Sequence, residues 1–132
     1  MIVIDACTIV SALLEDEDTP TADVALDYVA KNGAAVPGNF VTEVVNALGK
    51  AERRGRLGAV KADIVLTEAL TLPFSIELPD PHAILSATRS YGITAYDAAY
   101  LALALQLKVP LATVDRALRS AAKAAKCRWK MS

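Results

Sequence analysis

Short apolar runs alternate along this chain with longer segments in which apolar residues recur every three or four positions. The short runs predict buried parallel strands, because both faces of such strands are covered. The longer periodic segments predict helices with one apolar face. The predicted strands are 2–4, 34–36, 74–78 and 109–114, and residues 128–130 are a candidate for a short edge strand. The predicted helices are 8–14, 21–31, 39–54, 59–72, 82–90, 94–107 and 115–126.

The order of these segments predicts the fold class. Strands that alternate with helices indicate a mainly parallel sheet covered by helices on both faces, because parallel neighbours need a crossover connection. We therefore expect an α/β protein with three α/β/α layers and a central, mainly parallel sheet of four to five strands. The chain has 132 residues and shows no repeat or linker, so we predict one domain over residues 1–132.

Composition narrows the functional classes. The hydrophobic content of 54% excludes disorder, and the net charge of −1 provides no overall basic field, so any site for a polyanion must be built from local clusters. The N-terminus lacks the basic segment of a signal peptide, and the apolar stretch 98–105 is too short to span a bilayer. Cys7 and Cys127 lack metal-ligand spacing and are predicted to be buried or half-buried free thiols. We predict a cytoplasmic protein without membrane contact.

Three aspartates occupy positions where a charge is unexpected. Asp5 and Asp115 each follow an apolar strand, and a parallel sheet brings the ends of its strands to one edge, where ligands bind in open α/β folds. Asp97 lies one turn into the predicted helix 94–107, which is apolar nearly all round and therefore predicted to be buried. We expect these three carboxylates to approach one another.

Glu43 belongs to a different face of its helix. An apolar stripe is predicted on helix 39–54, and at 100° per residue Glu43 lies opposite that stripe. The stripe consists of Val41, Val44, Val45 and Leu48, and the opposite face carries Glu43, Asn46, Lys50 and Arg54. The face of Glu43 is therefore directed to a groove or to solvent.

Each of these acids also has a purely structural interpretation. Asp5 and Asp115 suit the N-cap position of a following helix, as does Thr8 for a helix 8–14. Asp97 stands three residues after Thr94, the spacing of a capping box. Capping alone, however, does not account for two acids at strand ends together with one in an apolar helix. Clustered carboxylates repel, and a hard divalent cation such as Mg²⁺ or Mn²⁺ relieves that repulsion through oxygen ligands.

Several short motifs together resemble the PIN domain family. They are Asp5 after an apolar N-terminal strand, Pro37 ahead of Glu43, Thr94-Ala-Tyr-Asp97 at the start of an apolar helix, and Thr113-Val-Asp115 after a strand. The order and spacing of these motifs match over essentially the whole chain. A compact chain of this length resembles the VapC-type toxins of bacterial and archaeal toxin–antitoxin pairs.

The resemblance implies a metal-dependent endoribonuclease with a PIN-like fold. It implies that Asp5, Glu43, Asp97 and Asp115 hold one or two Mg²⁺ ions (Mn²⁺ being an alternative), and that RNA is cut to leave a 5′-phosphate and a 3′-hydroxyl. Thr113 would orient Asp115 or a bound water, and Thr8 stands where the family has a hydroxyl or Asn near its first Asp. The candidates for contact with RNA are Thr8, Asn46, Lys50 and Arg54, together with Arg116, Arg119 and Lys123. Implied partners are a cognate antitoxin and a second copy of the chain.

Two alternatives remain open from the sequence. A phosphoaspartyl enzyme also places an Asp after its first strand, although the dehalogenase type has a second Asp where this chain has Cys7. A non-catalytic PIN-like scaffold would bind RNA or protein without cutting. The acidic run 15–18 is predicted to be a solvated loop before the second helix.

Overall fold

A computed structural model of the protein describes residues 1–14 and 20–130. The acidic run 15–18, predicted as a loop, lies outside the described residues. The strands are β1 (Ile2–Ile4), β2 (Ala34–Val36), β3 (Phe74–Ile76) and β4 (Leu111–Ala112). The helices are α1 (Ala6–Leu13), α2 (Pro20–Asn32), α3 (Phe40–Arg53), α4 (Ala59–Leu70), α5 (Pro81–Tyr91), α6 (Ala95–Leu107) and α7 (Arg116–Ala124).

The four strands form one parallel sheet in the order β3-β2-β1-β4. Val3 is aligned with Ala35 on one side and with Leu111 on the other, so β1 lies inside the sheet and its three residues are fully buried. The carboxyl end of β1 therefore lies between the ends of β2 and β4. The predicted three-layer α/β/α fold with a parallel sheet is confirmed.

Some predicted boundaries were wrong. Strand β4 covers two residues rather than six, because only Leu111 and Ala112 pair with β1. The candidate edge strand at residues 128–130 is reduced to a single bridge between Leu111 and Arg128. Helix α1 begins at Ala6 rather than Thr8, since Asp5 caps it and accepts a hydrogen bond from the Thr8 N–H.

The helices form two groups around the sheet. Helices α1 to α4 pack against one another, while α6 packs on α5, α7 and strands β1, β2 and β4. The prediction that α6 is buried is confirmed, because every residue from position 98 to position 104 is buried. No helix in the described part of the chain is long and apolar enough to cross a membrane.

The buried face of α3 shares only Val44 and Leu48 with the predicted stripe. Phe40, Val44, Leu48 and Ala51 face the core. Val45, which was assigned to the stripe, is 49% exposed. The difference arises because the core begins at Phe40, whose ring packs on Phe74 of β3 with 4.7 Å between centroids. Glu43 lies off this buried face and is half-buried.

Candidate active site

Asp5 lies at the carboxyl end of the central strand and is only 4% exposed. Three hydrogen bonds hold its carboxylate. The Thr8 N–H donates to Oδ1 at 3.2 Å, the Thr8 hydroxyl donates to the same oxygen, and the Thr113 hydroxyl donates to Oδ2 at 2.8 Å. Asp5 is thus the N-cap of α1, as the structural interpretation proposed. Both of its oxygens are nevertheless aligned by hydroxyls, one from Thr8 in the first turn of α1 and one from Thr113, 108 positions away in sequence.

The two threonines position Asp5. Thr8 is fully buried, and its hydroxyl also accepts a hydrogen bond from the Val114 N–H at 3.0 Å. Its assignment as an RNA-contacting residue was therefore wrong, because a substrate does not reach a side chain with no exposed surface. Thr113 accepts the N–H of Asp115 at 3.0 Å while donating to Asp5, so it connects the ends of β1 and β4.

Asp115 and Asp97 lie at the starts of two helices. Asp115 is the N-cap of α7 and accepts the Leu118 N–H on Oδ2 at 2.9 Å. At α6 the cap is Thr94, whose hydroxyl accepts the Asp97 N–H at 3.2 Å. The carboxylate of Asp97 therefore lies in the first turn of α6, where the N-terminal dipole favours a negative charge, but it is not the cap itself.

Glu43 is held by two residues that the sequence did not single out. The Asn39 amide and the Tyr100 hydroxyl both donate to Oε2, the hydroxyl from 3.1 Å. Tyr100 is fully buried, so this hydroxyl needs an acceptor inside the protein. The signal in the sequence was a tyrosine in the apolar helix 94–107, three residues after Asp97. Asn39 stands one helical turn before Glu43, a spacing at which side chains meet.

The pKa values of the acids in the site are raised by burial and by the charges of neighbouring acids. Burial raises the pKa of Asp5 to about 6, against hydrogen bonds that lower it, and the charge of Asp115 raises it further. Burial also raises the pKa of Glu43, with a smaller contribution from Asp97, and raises the pKa of Asp97, with a smaller contribution from Asp115. The four carboxylates thus influence one another in the order Asp5, Asp115, Asp97, Glu43. Loss of solvation raises these pKa values more than mutual repulsion does.

The expectation of one metal-sized cluster was too strong. Within residues 1–14 and 20–130, no group of three or more acidic, histidine or cysteine side chains is close enough to hold a metal ion. The donor set is nevertheless all oxygen, and no lysine or arginine of these ranges forms a salt bridge with any of the four carboxylates. Mg²⁺ commonly uses one or two carboxylates, several waters and substrate phosphate oxygens, so this arrangement fits such an ion.

A groove between α1 and α3 begins beside Asp5. Its volume is about 330 Å³, and Glu43 and Asn46 lie on its wall with Lys50 and Arg54 farther along the helix. Arg56 and Cys7 line it as well. The predicted polar face of α3 therefore lines a groove and is not simply solvated. Neither Cys7 nor Cys127 forms a disulfide within the described residues, and Cys7 is exposed rather than buried as predicted.

Replacing Tyr100 with Phe is expected to raise the pKa of Glu43. The hydroxyl of Tyr100 stabilises the charged carboxylate, so its removal favours protonation. The acidic limb of the pH–activity profile should therefore move to higher pH in Tyr100→Phe, whereas Tyr91→Phe should leave it in place. An unchanged limb in Tyr100→Phe would contradict this role.

Comparison with known proteins identifies a family and a similar structure. The family model described as PIN domain matches residues 2–124, a range that includes Asp5, Glu43, Asp97 and Asp115. The crystal structure of PAE2754 from Pyrobaculum aerophilum is similar, with a TM-score of 0.71 and 25% sequence identity. The similarity covers 91% of this chain and 78% of that chain. The comparison with curated proteins finds no match.

Proposed function

This chain belongs to the PIN domain family, a nuclease fold, and on that premise we propose that it is a divalent-metal-dependent endoribonuclease. We propose Asp5, Glu43, Asp97 and Asp115 as the residues that hold Mg²⁺ or Mn²⁺, and RNA phosphodiesters as the substrate. The cell compartment proposed for this activity is the cytoplasm.

One observation supports this proposal above the others. Four carboxylates influence one another around the buried Asp5, and in the described ranges no lysine or arginine forms an ion pair with them. A protein gains no stability from uncompensated buried charge, since an ionised group in an apolar setting costs several kcal/mol, at least roughly. Such an arrangement is typical of a site that is completed by a cation and a polyanionic substrate.

The residues of the chain have separable roles in this proposal. A bound divalent cation supplies a water activated for attack and charge that stabilises the phosphodiester transition state. Thr8 and Thr113 keep the Asp5 carboxylate in one orientation, and Asn39 and Tyr100 do the same for Glu43. Asn46, Lys50 and Arg54 line the groove that leads to Glu43, and they are the proposed contacts for the RNA backbone.

The test is cleavage of single-stranded RNA by the purified protein with Mg²⁺ and with EDTA. We expect cleavage with Mg²⁺ and none with EDTA, and fragments carrying a 5′-phosphate and a 3′-hydroxyl. RNA binding without cleavage under any divalent ion would favour the non-catalytic scaffold instead. A covalent acyl phosphate on Asp5 would favour the phosphoaspartyl class.

The Asp97→Asn substitution tests whether Asp97 only stabilises its helix or also binds the metal ion. Its charge lies near Asp115, and burial raises its pKa, so removal of the charge should make the metal-free protein melt at a higher temperature. Stabilisation by Mg²⁺ and RNA cleavage should both fall, the latter by roughly tenfold or more. Thermal unfolding without and with Mg²⁺ measures the melting temperature of the metal-free protein and its stabilisation by the ion. If the variant melts lower than wild type and cuts RNA normally, Asp97 only stabilises its helix.

We further propose that this nuclease is the toxin of a VapBC-type toxin–antitoxin pair and that it forms a homodimer. Exposed apolar side chains support an interface, because large apolar patches mark protein contacts. Ile76 is the last residue of the edge strand β3 and is 63% exposed, and Leu78 follows this strand and is 84% exposed. Val60 of α4 is 76% exposed. Light scattering that gives only monomer would contradict the homodimer.

A further inference from the structure

We propose that a second cavity beside Asp5 binds one nucleotide of the RNA strand, with the phosphate on basic side chains and the base on Trp129. The cavity has a volume of about 260 Å³ and is lined by Thr113, Arg119, Arg128, Trp129 and Lys130, among others. It shares no residue with the groove between α1 and α3. This inference rests on the proposed nuclease function and assigns part of its substrate contact.

The charge of the cavity selects an anion. Arg119, Arg128 and Lys130 bring three positive charges to it, and none of the described residues that line it is acidic. The whole chain has a net charge of −1, so this local excess does not follow from composition. Arginine forms paired hydrogen bonds with phosphate oxygens, which makes a phosphate the favoured anion.

Trp129 supplies a surface for a base. Its N–H donates to the Leu111 carbonyl at 2.9 Å, which holds the C-terminal segment beside β4. Its ring packs on Tyr28 with 5.7 Å between centroids, while the residue remains partly exposed and lines the cavity. Packing on Tyr28 alone would account for a tryptophan here, but not for three cations at the same cavity. An aromatic ring next to cations is the combination that binds single-stranded nucleic acid.

The position of the cavity relates it to the carboxylates. Thr113 is part of its wall and donates to Asp5 at 2.8 Å, whereas Ala6, next to Asp5 in sequence, lines the groove. In the sheet, β1 lies between β4, which borders the cavity, and β2, which precedes the groove helix α3. A strand of RNA whose phosphodiester lies at Asp5 therefore has a basic surface available on each side.

Binding without cleavage tests the proposal. The anisotropy of a fluorescein-labelled single-stranded oligoribonucleotide is measured in EDTA for wild type, Arg128→Ala, Trp129→Ala and Trp129→Phe. We expect Trp129→Ala to weaken binding at least about fivefold, Trp129→Phe to retain most of the affinity, and Arg128→Ala to reduce the salt-dependence slope by about 0.7. Arg89→Ala removes an exposed arginine from α5, outside both surfaces, and should change nothing. Equal affinity and slope in all variants would overturn the proposal.

The single tryptophan provides an independent readout. The 5′-phosphorylated dinucleotide pApA should quench the fluorescence of Trp129 in wild type, and Arg128→Ala should abolish the saturable part of that quenching. If wild type cuts no RNA but shows this quenching, the proposed nuclease function is contradicted and nucleotide binding in the cavity is supported. If wild type cuts RNA and neither substitution affects binding or quenching, nucleotide binding in the cavity is contradicted and the nuclease function is supported. Quenching by an acidic peptide but not by pApA would also overturn the assignment to RNA.

Discussion

Replacing Asp5 with Asn is expected to reduce Mg²⁺-dependent RNA cleavage by roughly a hundredfold or more. Asp5 is the most buried of the four acids, and both of its oxygens are aligned by threonine hydroxyls. Asparagine has nearly the same size and still accepts a hydrogen bond from Thr8, but it removes the negative charge and one oxygen ligand. A loss of this size is typical when a group that acts in concert with others in catalysis is removed.

The matched control is Asp63→Asn, which neutralises an exposed aspartate on α4. It should cut RNA at the wild-type rate. Near-ultraviolet circular dichroism and the melting temperature should show that Asp5→Asn is folded, so that its inactivity is not a loss of structure. A folded Asp5→Asn protein that cleaves RNA as fast as Asp63→Asn would refute the assignment of Asp5.

The metal-free protein is expected to lose stability as the pH rises from about 4 to about 6, relative to its Asp5→Asn variant. Folding raises the pKa of Asp5 from an ordinary 3.8 to about 6, so the folded state binds the proton more tightly than the unfolded state. The associated stability is fully present below pH 3.8 and is lost as the pH rises through 6. At about 1.4 kcal/mol per pH unit, the loss is about 3 kcal/mol.

Urea unfolding at several pH values in EDTA measures this loss. The difference in unfolding free energy between wild type and Asp5→Asn removes the contributions of the other acids to a first approximation. At pH 7, Mg²⁺ should stabilise wild type more than Asp5→Asn, because an ion that binds only the folded state shifts unfolding by mass action. A difference that does not change between pH 4 and pH 7 would mean that Asp5 is not destabilised by burial.

The structural and functional interpretations of the acids do not exclude each other. Asp5 and Asp115 are both helix N-caps, and Asp97 lies in the first turn of a capped helix. A capping carboxylate uses one oxygen for a backbone N–H, and for Asp115 the contact to Leu118 involves Oδ2 alone. At Asp115, helix capping thus fixes the place of the carboxylate and leaves Oδ1 for a ligand. A carboxylate that caps a helix can therefore also be a metal ligand, and the two roles that the sequence left open are compatible.

The parallel sheet, the buried α6 and the convergence of the strand ends could be predicted from the amino-acid sequence. These features follow from local periodicity and from the rule that parallel strands need crossovers. Asp5 and Asp115 could be predicted as neighbours because each directly follows a strand. Asp5, Asp97 and Asp115 could therefore be singled out from residue type and position, whereas Glu43 joined the proposed site through the resemblance to the PIN domain family.

The way in which those acids are held depends on contacts between distant parts of the chain. Thr113 reaches Asp5 across 108 positions of sequence, and Tyr100 reaches Glu43 across 57, so no local pattern reports either contact. The same holds for Thr8, which periodicity placed at a helix cap and packing buried completely. The basic cavity likewise joins Arg119 of α7 to residues 128–130, which the sequence indicated only as an edge strand. Long-range side-chain contacts depend on how elements pack, whereas hydrophobic periodicity reports only which face of each element is buried.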